Sequence, residues 1–184
     1  LLITSLVYCM DHIIEILRAW NEESLEFRLA TGYFDDAVYV FVRVMDDSVV
    51  YREPNSISVH RNDNLQIVTV GGDDDIHRYT IATIQPGDAT AFVVAPRDQG
   101  ARALGTEPRV QAYWLATERG FNLEVRIPRD LVAANAGFAV SDVDDQATRT
   151  LIATIGTANL FDPEALGSLL VPSPAIESRL EQVG

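Results

Sequence analysis

Hydrophobic and polar residues alternate along much of this chain. Phe121, Leu123, Val125 and Ile127 fall on one side of a period of two, and Asn122, Glu124 and Arg126 on the other. That pattern predicts a strand with one face in the core and one in water. Pro128 ends it and suits the first turn of a short helix. A second strand, from Gly137, runs into the acidic corner Asp142-Val143-Asp144-Asp145. Leu25, Phe27 and Leu29 alternate with Glu26 and Arg28 in the same way. Ala37 to Met45 differs: it is apolar at every position except Arg43. A strand of that kind is expected at the centre of a packed sheet, with both faces covered. Further strands are expected over Leu65 to Val70, Ile76 to Thr83, Thr90 to Ala95, Val110 to Thr117 and Leu151 to Ile155. Gln85-Pro86-Gly87-Asp88 and Glu118-Arg119-Gly120 supply turns between them. Pro96 to Glu107 reads as a loop.

Two stretches follow a helical period instead. Ile13, Ile14, Ile16, Leu17 and Trp20 predict a short amphipathic helix over Asp11 to Trp20. After Pro163, the leucines at 166, 169 and 170, and then Ile176, Leu180 and Val183, predict helical segments. The expected organisation is a helical lead-in over 1–24, a sensing or binding domain over 25–160 and a helical linker over 161–184. Many strands at regular spacing, with turn chemistry between them, indicate a mainly β protein. The expected architecture is an antiparallel β-sandwich with short N- and C-terminal helices. Parallel α/β architecture is disfavoured, because no long helices separate the strands.

Composition narrows the ligand classes. The chain has 184 residues, 47% of them hydrophobic and 22% charged, which is ordinary for a globular core. Its formal net charge of −13 repels phosphate backbones and anionic membrane surfaces, so nucleic acid is not an expected partner. Cations, metal ions and neutral sugars remain open. Cys9 is the one cysteine, so no internal disulfide forms, and it reads as a small core residue. The chain opens on leucine, which reads as a fragment or a processed chain. Leu1 to Met10 is too short to span a bilayer and lacks the features of a signal peptide. It reads as a buried first element or as the end of a removed membrane segment.

Local motifs for catalysis are missing. His12, His60 and His77 are scattered without metal-binding spacing, and no phosphate-binding or nucleophile-elbow motif occurs. Two features carry candidate chemistry. Asp46 and Asp47 close one strand, and Asp142, Asp144 and Asp145 close another. Hard oxygen donors gathered at strand ends suit a structural Ca²⁺; the same residues also suit solvated turns. The second feature is aromatic. Tyr113 and Trp114 are adjacent on one strand and so face opposite sides. One belongs to the core and the other to a surface or groove. Together with Trp20 they are the candidate platforms for stacking a sugar.

Several of these runs resemble a known family. Asp36 to Asp47, then Asp63-Asn64-Leu65-Gln66-Ile67, then Glu124 to Pro128 with Phe138 to Asp145, resemble in order and spacing the strands of family 9 carbohydrate-binding-module-like domains. The resemblance spans about Leu25 to Ile155 and implies a carbohydrate-binding-module-like β-sandwich. The Arg126-Ile127-Pro128 block and the run Ser173 to Glu181 further resemble the extracytoplasmic sensor region of a proteobacterial membrane histidine kinase. That resemblance implies a domain on the periplasmic side of the bacterial inner membrane that senses a small molecule or glycan. Its parent would be membrane-anchored, with the kinase parts beyond Gly184, and would work as a homodimer. The alternative is a carbohydrate-binding module of a secreted or periplasmic enzyme, which uses the same fold with an exposed aromatic platform.

Overall fold

The computed structural model describes residues 2–6, 13–16, 25–70, 75–97, 101–132, 135–151, 153–156 and 166–168. The strands are β1 (Leu2–Leu6), β2 (Ile13–Ile16), β3 (Leu25–Phe34), β4 (Ala37–Asp46), β5 (Asn64–Val70), β6 (Ile76–Ala82), β7 (Gly87–Val94), β8 (Ala103–Thr106), β9 (Gln111–Thr117), β10 (Gly120–Pro128), β11 (Asn135–Asp142), β12 (Ala153–Gly156) and β13 (Gly167–Ser168). Among the described residues the one helical piece is a 3₁₀ turn, Arg129–Leu131, entered through Pro128. The strands form one curled sheet in the order β1-β3-β4-β10-β9-β7-β6-β5-β11-β12-β2, with β8 on β7 and β13 on β11. Its ladders are antiparallel throughout.

β7 makes the corner. Gly87 to Ala89 pair with β9, while Thr90 to Val94 pair with β6. One half of the sheet is therefore β1, β3, β4, β10 and β9, and the other is β6, β5, β11, β12 and β2. Phe27, Val40, Val42, Leu123 and Val125 of the first half pack against Leu65, Ile67, Ile81 and Val140 of the second. This is sandwich packing, with the inner faces interdigitated. Each such side chain contributes about 1.5–3 kcal/mol by leaving water. Trp114 is the largest of the fully buried residues, and its ring stacks on Phe121 at 3.7 Å between centroids.

The alternation read in β10 is present as expected: Phe121, Leu123, Val125 and Ile127 are buried, and Glu124 is exposed. β4 sits between β3 and β10, as a central strand should. Its outer face is nevertheless bare, because Tyr39 is 39% exposed and Phe41 40%. The expectation that both faces are covered is thereby corrected. No segment among the described residues crosses that side of the sheet. The opposite half behaves the other way. Val59, Ala82, Phe92, Val94 and Ala101 form a cluster on its outer side, and Leu166 packs with Val68 and Ala139.

The terminal helices are also corrected. Ile13–Ile16, placed in a helix by its spacing, is strand β2 and pairs with β12. Its isoleucines are β-branched, and an available sheet edge overrides a short helical period. Gly167–Ser168, inside the expected C-terminal helical stretch, pairs with Asn135 and Ala136 of β11. Leu166, just before it, is buried and not helical; the rest of both expected helices lies outside the described residues, as do Cys9 and His12. The segment read as a loop from Pro96 contains strand β8.

Gly120 shapes the end of β4. It opens β10 at φ 102°, and a Cβ there would run into the Val44 carbonyl oxygen and lie 2.9 Å from the Asp46 amide nitrogen. Glycine thus lets the β9–β10 turn close over the strand end where Asp46 sits.

Candidate functional site

The bare outer face of the first half curves into a groove of about 1000 Å³. Its floor comes from β3, β4, β10, β9 and the start of β7, through residues such as Ala30, Tyr39, Phe41, Glu124, Tyr113 and Asp88. Directly paired residues on neighbouring strands share a face, so the register gives the layout. One row reads Ala30, Phe41, Glu124, Tyr113, Asp88 across five strands. The next reads Gly32, Tyr39, Arg126, Gln111. Phe41 and Tyr113 stand two strand spacings apart, about 10 Å, with the Glu124 carboxylate between them. Tyr113 is 52% exposed.

The rim is braced. Glu107 and Pro108 line one side of the groove. The Arg109 guanidinium donates to both Glu107 oxygens, at 2.9 and 2.8 Å, and to Asp130 at 2.8 Å. The Glu107 carboxyl is held below its ordinary range by these bonds. Arg126 donates to Asp36 at 3.1 Å. Asp88 and Glu124 have no ion-pair partner among the described residues.

The second feature is the acidic corner at one end of the sandwich. In β4 the even positions face inward, and Asp46 follows Val44 on that side. In β11 Asp142 follows Phe138 and Val140 in the same manner. Strand parity therefore turns both carboxylates towards the interior. Oxygens of Asp46, Asp63 and Asp142 lie within 4.8 Å of one another, and so do oxygens of Asp46, Asp47 and Asp144. Asp63 accepts from the Val50 amide at 2.5 Å and the Val143 amide at 2.8 Å, and Asp46 accepts from the Ser48 amide at 2.7 Å. Asp142 is fully buried, and neither of its oxygens has a hydrogen-bond partner.

This concentration of buried carboxylates moves their titration. Burial, with the neighbouring negative charges, raises Asp142 to about 8 and Asp46 to about 6. Burial likewise pushes Asp63 well up and Asp144 up. Ionised together at neutral pH, these groups need a compensating cation or protons. The donor set fits a hard divalent cation: all-oxygen donors close together, with the Asp142 oxygens and Asp46 Oδ2 unsatisfied by the protein.

The residues singled out from sequence fall in different places. Asp46, Asp47, Asp142 and Asp144 come together, while Asp145 spends Oδ1 on the amides of Ala147 and Thr148 and caps a turn. Tyr113 lies in the groove and Trp114 lies in the core, 1% exposed. Trp20 is outside the described residues. Sequence reasoning misses Asp63, although it opens a run carrying the family resemblance. It also misses Tyr39, Phe41 and Glu124. Their signal is available: the odd positions of β4 include aromatics where the even ones are valine.

Solved structures with a similar fold include two of a family 9 carbohydrate-binding module from Caldicellulosiruptor kristjanssonii. The one in complex with cellotriose has a TM-score of 0.51 and 16% identity, covering 86% of this chain and 78% of its own. The one in complex with glucose has a TM-score of 0.50 and 18% identity, covering 85% and 80%. A candidate carbohydrate-binding protein from Bacteroides uniformis has a TM-score of 0.52 and 13% identity, covering 85% and 83%. No family model and no curated protein matches the chain. At these identities the likeness is one of fold, and the chain has a carbohydrate-binding-module-like β-sandwich.

Proposed function

We propose that this chain is a glycan-binding module whose ligand lies in the groove over β3, β4, β10, β9 and β7. The observation that carries this reading is the trio Tyr39, Phe41 and Tyr113, left exposed along a concave sheet face. Sugar rings offer apolar C–H faces that stack on aromatic rings and hydroxyls that bond to side chains such as Glu124, Gln111 and Arg126. The fold shared with modules solved with glucose and cellotriose supports the same reading. Trp114 has no part in the contact, since it is interior. The test is titration calorimetry against a panel of oligosaccharides. Binding with a micromolar Kd, lost in F41A/Y113A while the far-ultraviolet dichroism stays unchanged, supports the reading. A panel without a binder, or full affinity in F41A/Y113A, sinks it.

In this reading Asp46, Asp47, Asp63, Asp142 and Asp144 are the residues that would hold one structural Ca²⁺. The ion would supply positive charge to the acidic corner and tie the ends of β4 and β11 together. The host of the module is proposed to be a periplasmic sensor histidine kinase acting as a homodimer, with the binding domain over 25–160 and flanking segments leading towards the membrane. That placement is supported by the sequence resemblance of Arg126-Ile127-Pro128 and Ser173 to Glu181. No helix among the described residues is long and apolar enough to cross a membrane. Reading the parent open frame for a membrane segment and a kinase core tests it, and a glycoside-hydrolase domain there would replace it with an enzyme-borne module.

A further inference from the structure

The charges lining the groove carry the ligand class further. Four side chains that carry charge at neutral pH bear on it: Asp88, Glu107, Glu124 and Arg126. Two are already matched. Glu107 is held by Arg109 at 2.8 Å, and Arg126 is held by Asp36 at 3.1 Å. Glu124 and Asp88 remain. Both are exposed, and neither has an ion pair among the described residues. They are the direct partners of Tyr113 on either side, Glu124 from β10 and Asp88 from β7. The exposed Tyr113 ring is thus bracketed by two unmatched carboxylates, and Phe41 lies beyond Glu124 in the same row. An aromatic face between two carboxylates complements an ammonium group, which gains from the ring quadrupole and from charge-assisted hydrogen bonds. The same lining, on a chain of net charge −13, repels uronic or sulfated sugars.

Resting on the glycan-binding reading, we infer that the groove selects sugars carrying a free, protonated amine: an oligosaccharide of unacetylated glucosamine units. The amine sits over Tyr113 between Glu124 and Asp88, and the ring face lies on Phe41. Neutral sugars bind the same floor with less affinity, because they leave both carboxylates without a counter-charge.

Three β-1,4 tetrasaccharides separate this from the parent reading, since they differ only at C2: glucosamine (ammonium), N-acetylglucosamine (amide) and glucose (hydroxyl). Calorimetry at pH 6 and low salt should give the glucosamine tetramer at least tenfold tighter binding than either other sugar. D88N/E124Q should shrink the amine-to-hydroxyl affinity ratio to within about twofold, and 0.5 M NaCl should shrink it in the unaltered protein. F41A/Y113A retains the chain's charge and should lose the amine sugar. Equal or tighter binding of the glucose tetramer overturns the inference and leaves the glycan-binding reading standing. Amine selectivity that survives D88N/E124Q, or amine binding that survives F41A/Y113A, overturns it as well, by assigning the attraction to charge elsewhere on the surface. Binding of none of the three overturns the inference, and only a whole oligosaccharide panel without a binder overturns the glycan-binding reading with it. Should D88N/E124Q fold poorly, the salt series on the unaltered protein decides.

Discussion

The two halves of the sandwich treat their outer faces in opposite ways. In the half built on β4, β10 and β9, the outer face carries Tyr39, Phe41 and Tyr113 and is left bare. In the half built on β5, β6 and β11, the outer face carries Gln66, Arg78 and Ser141 and is covered. There Arg78 donates to Gln66 at 2.6 Å, Gln66 donates to the Ser141 hydroxyl at 2.7 Å, and that hydroxyl bonds to Thr154 at 3.0 Å. So large aromatics meet water on one side, beside Glu124 and Arg126, while on the other polar groups are buried alongside Val68, Ala82 and Ala139. Each assignment costs stability: exposed aromatics forgo burial, and buried polar groups need a satisfied network. A protein tolerates such an inversion where the exposed aromatics have a ligand to meet.

The largest expected effect tests the boundary between core and groove on a single strand. Trp114→Ala should cost about 3–5 kcal/mol in urea unfolding, from lost transfer energy and the cavity beside Phe121. Tyr113→Ala, one residue away, should cost less than about 1 kcal/mol. Similar losses for the two would break the contrast between the faces.

Next comes the covered polar face. Arg78→Met removes a buried donor from Gln66 and should destabilise by about 2–3 kcal/mol. Its counterpart on the bare half, Arg126→Met, gives up only a part-exposed pair with Asp36, and its cost should stay under about 1 kcal/mol. Thermal melts of both variants measure the difference.

The acidic corner gives an effect of about 2 kcal/mol. Asp46 and Asp142 titrate at about 6 and 8 in the fold, against an ordinary value of 3.8. The folded protein therefore binds protons more tightly than the unfolded chain. Stability is fullest below pH 3.8 as far as these groups are concerned, and it falls as pH rises through 6 and then 8. In EDTA the melting temperature should drop by about 5 °C between pH 5 and pH 8. Millimolar Ca²⁺ should remove that drop, since a cation replaces the protons, and Asp142→Asn should blunt the response to Ca²⁺. Superimposable melting curves in Ca²⁺ and EDTA at pH 8 would rule the ion out.

The smallest stability effect belongs to Phe41→Ser. It should change unfolding free energy by no more than about 0.5 kcal/mol, because Phe41 is already part-exposed, yet oligosaccharide binding should fall at least tenfold. A large loss of stability would mean that the outer face of β4 is structural after all.

Much of the fold is legible along the chain. The alternation of Phe121, Leu123, Val125 and Ile127 with Asn122, Glu124 and Arg126 sets which side chains of β10 face the core, because the pleat makes parity a local property. Asp46 and Asp142 at strand ends are readable for the same reason, and the turn at Gly120 is readable from its composition. What required the tertiary structure was every decision made by a distant segment. The runs carrying Val59, Ala101 and Leu166 cover β5, β6 and β11, and none of the described segments covers β4, so the apolar strand is the bare one. Asp63 joins the aspartates of β4 and β11 only because the curled sheet brings the end of the long 47–63 connection to that corner. Ile13–Ile16 is a strand rather than a helical turn because β12 offers it an edge. A strand's own residues specify which sides alternate; whether a side meets water depends on surface contributed from elsewhere in the chain, and burial free energy is settled only when that surface arrives.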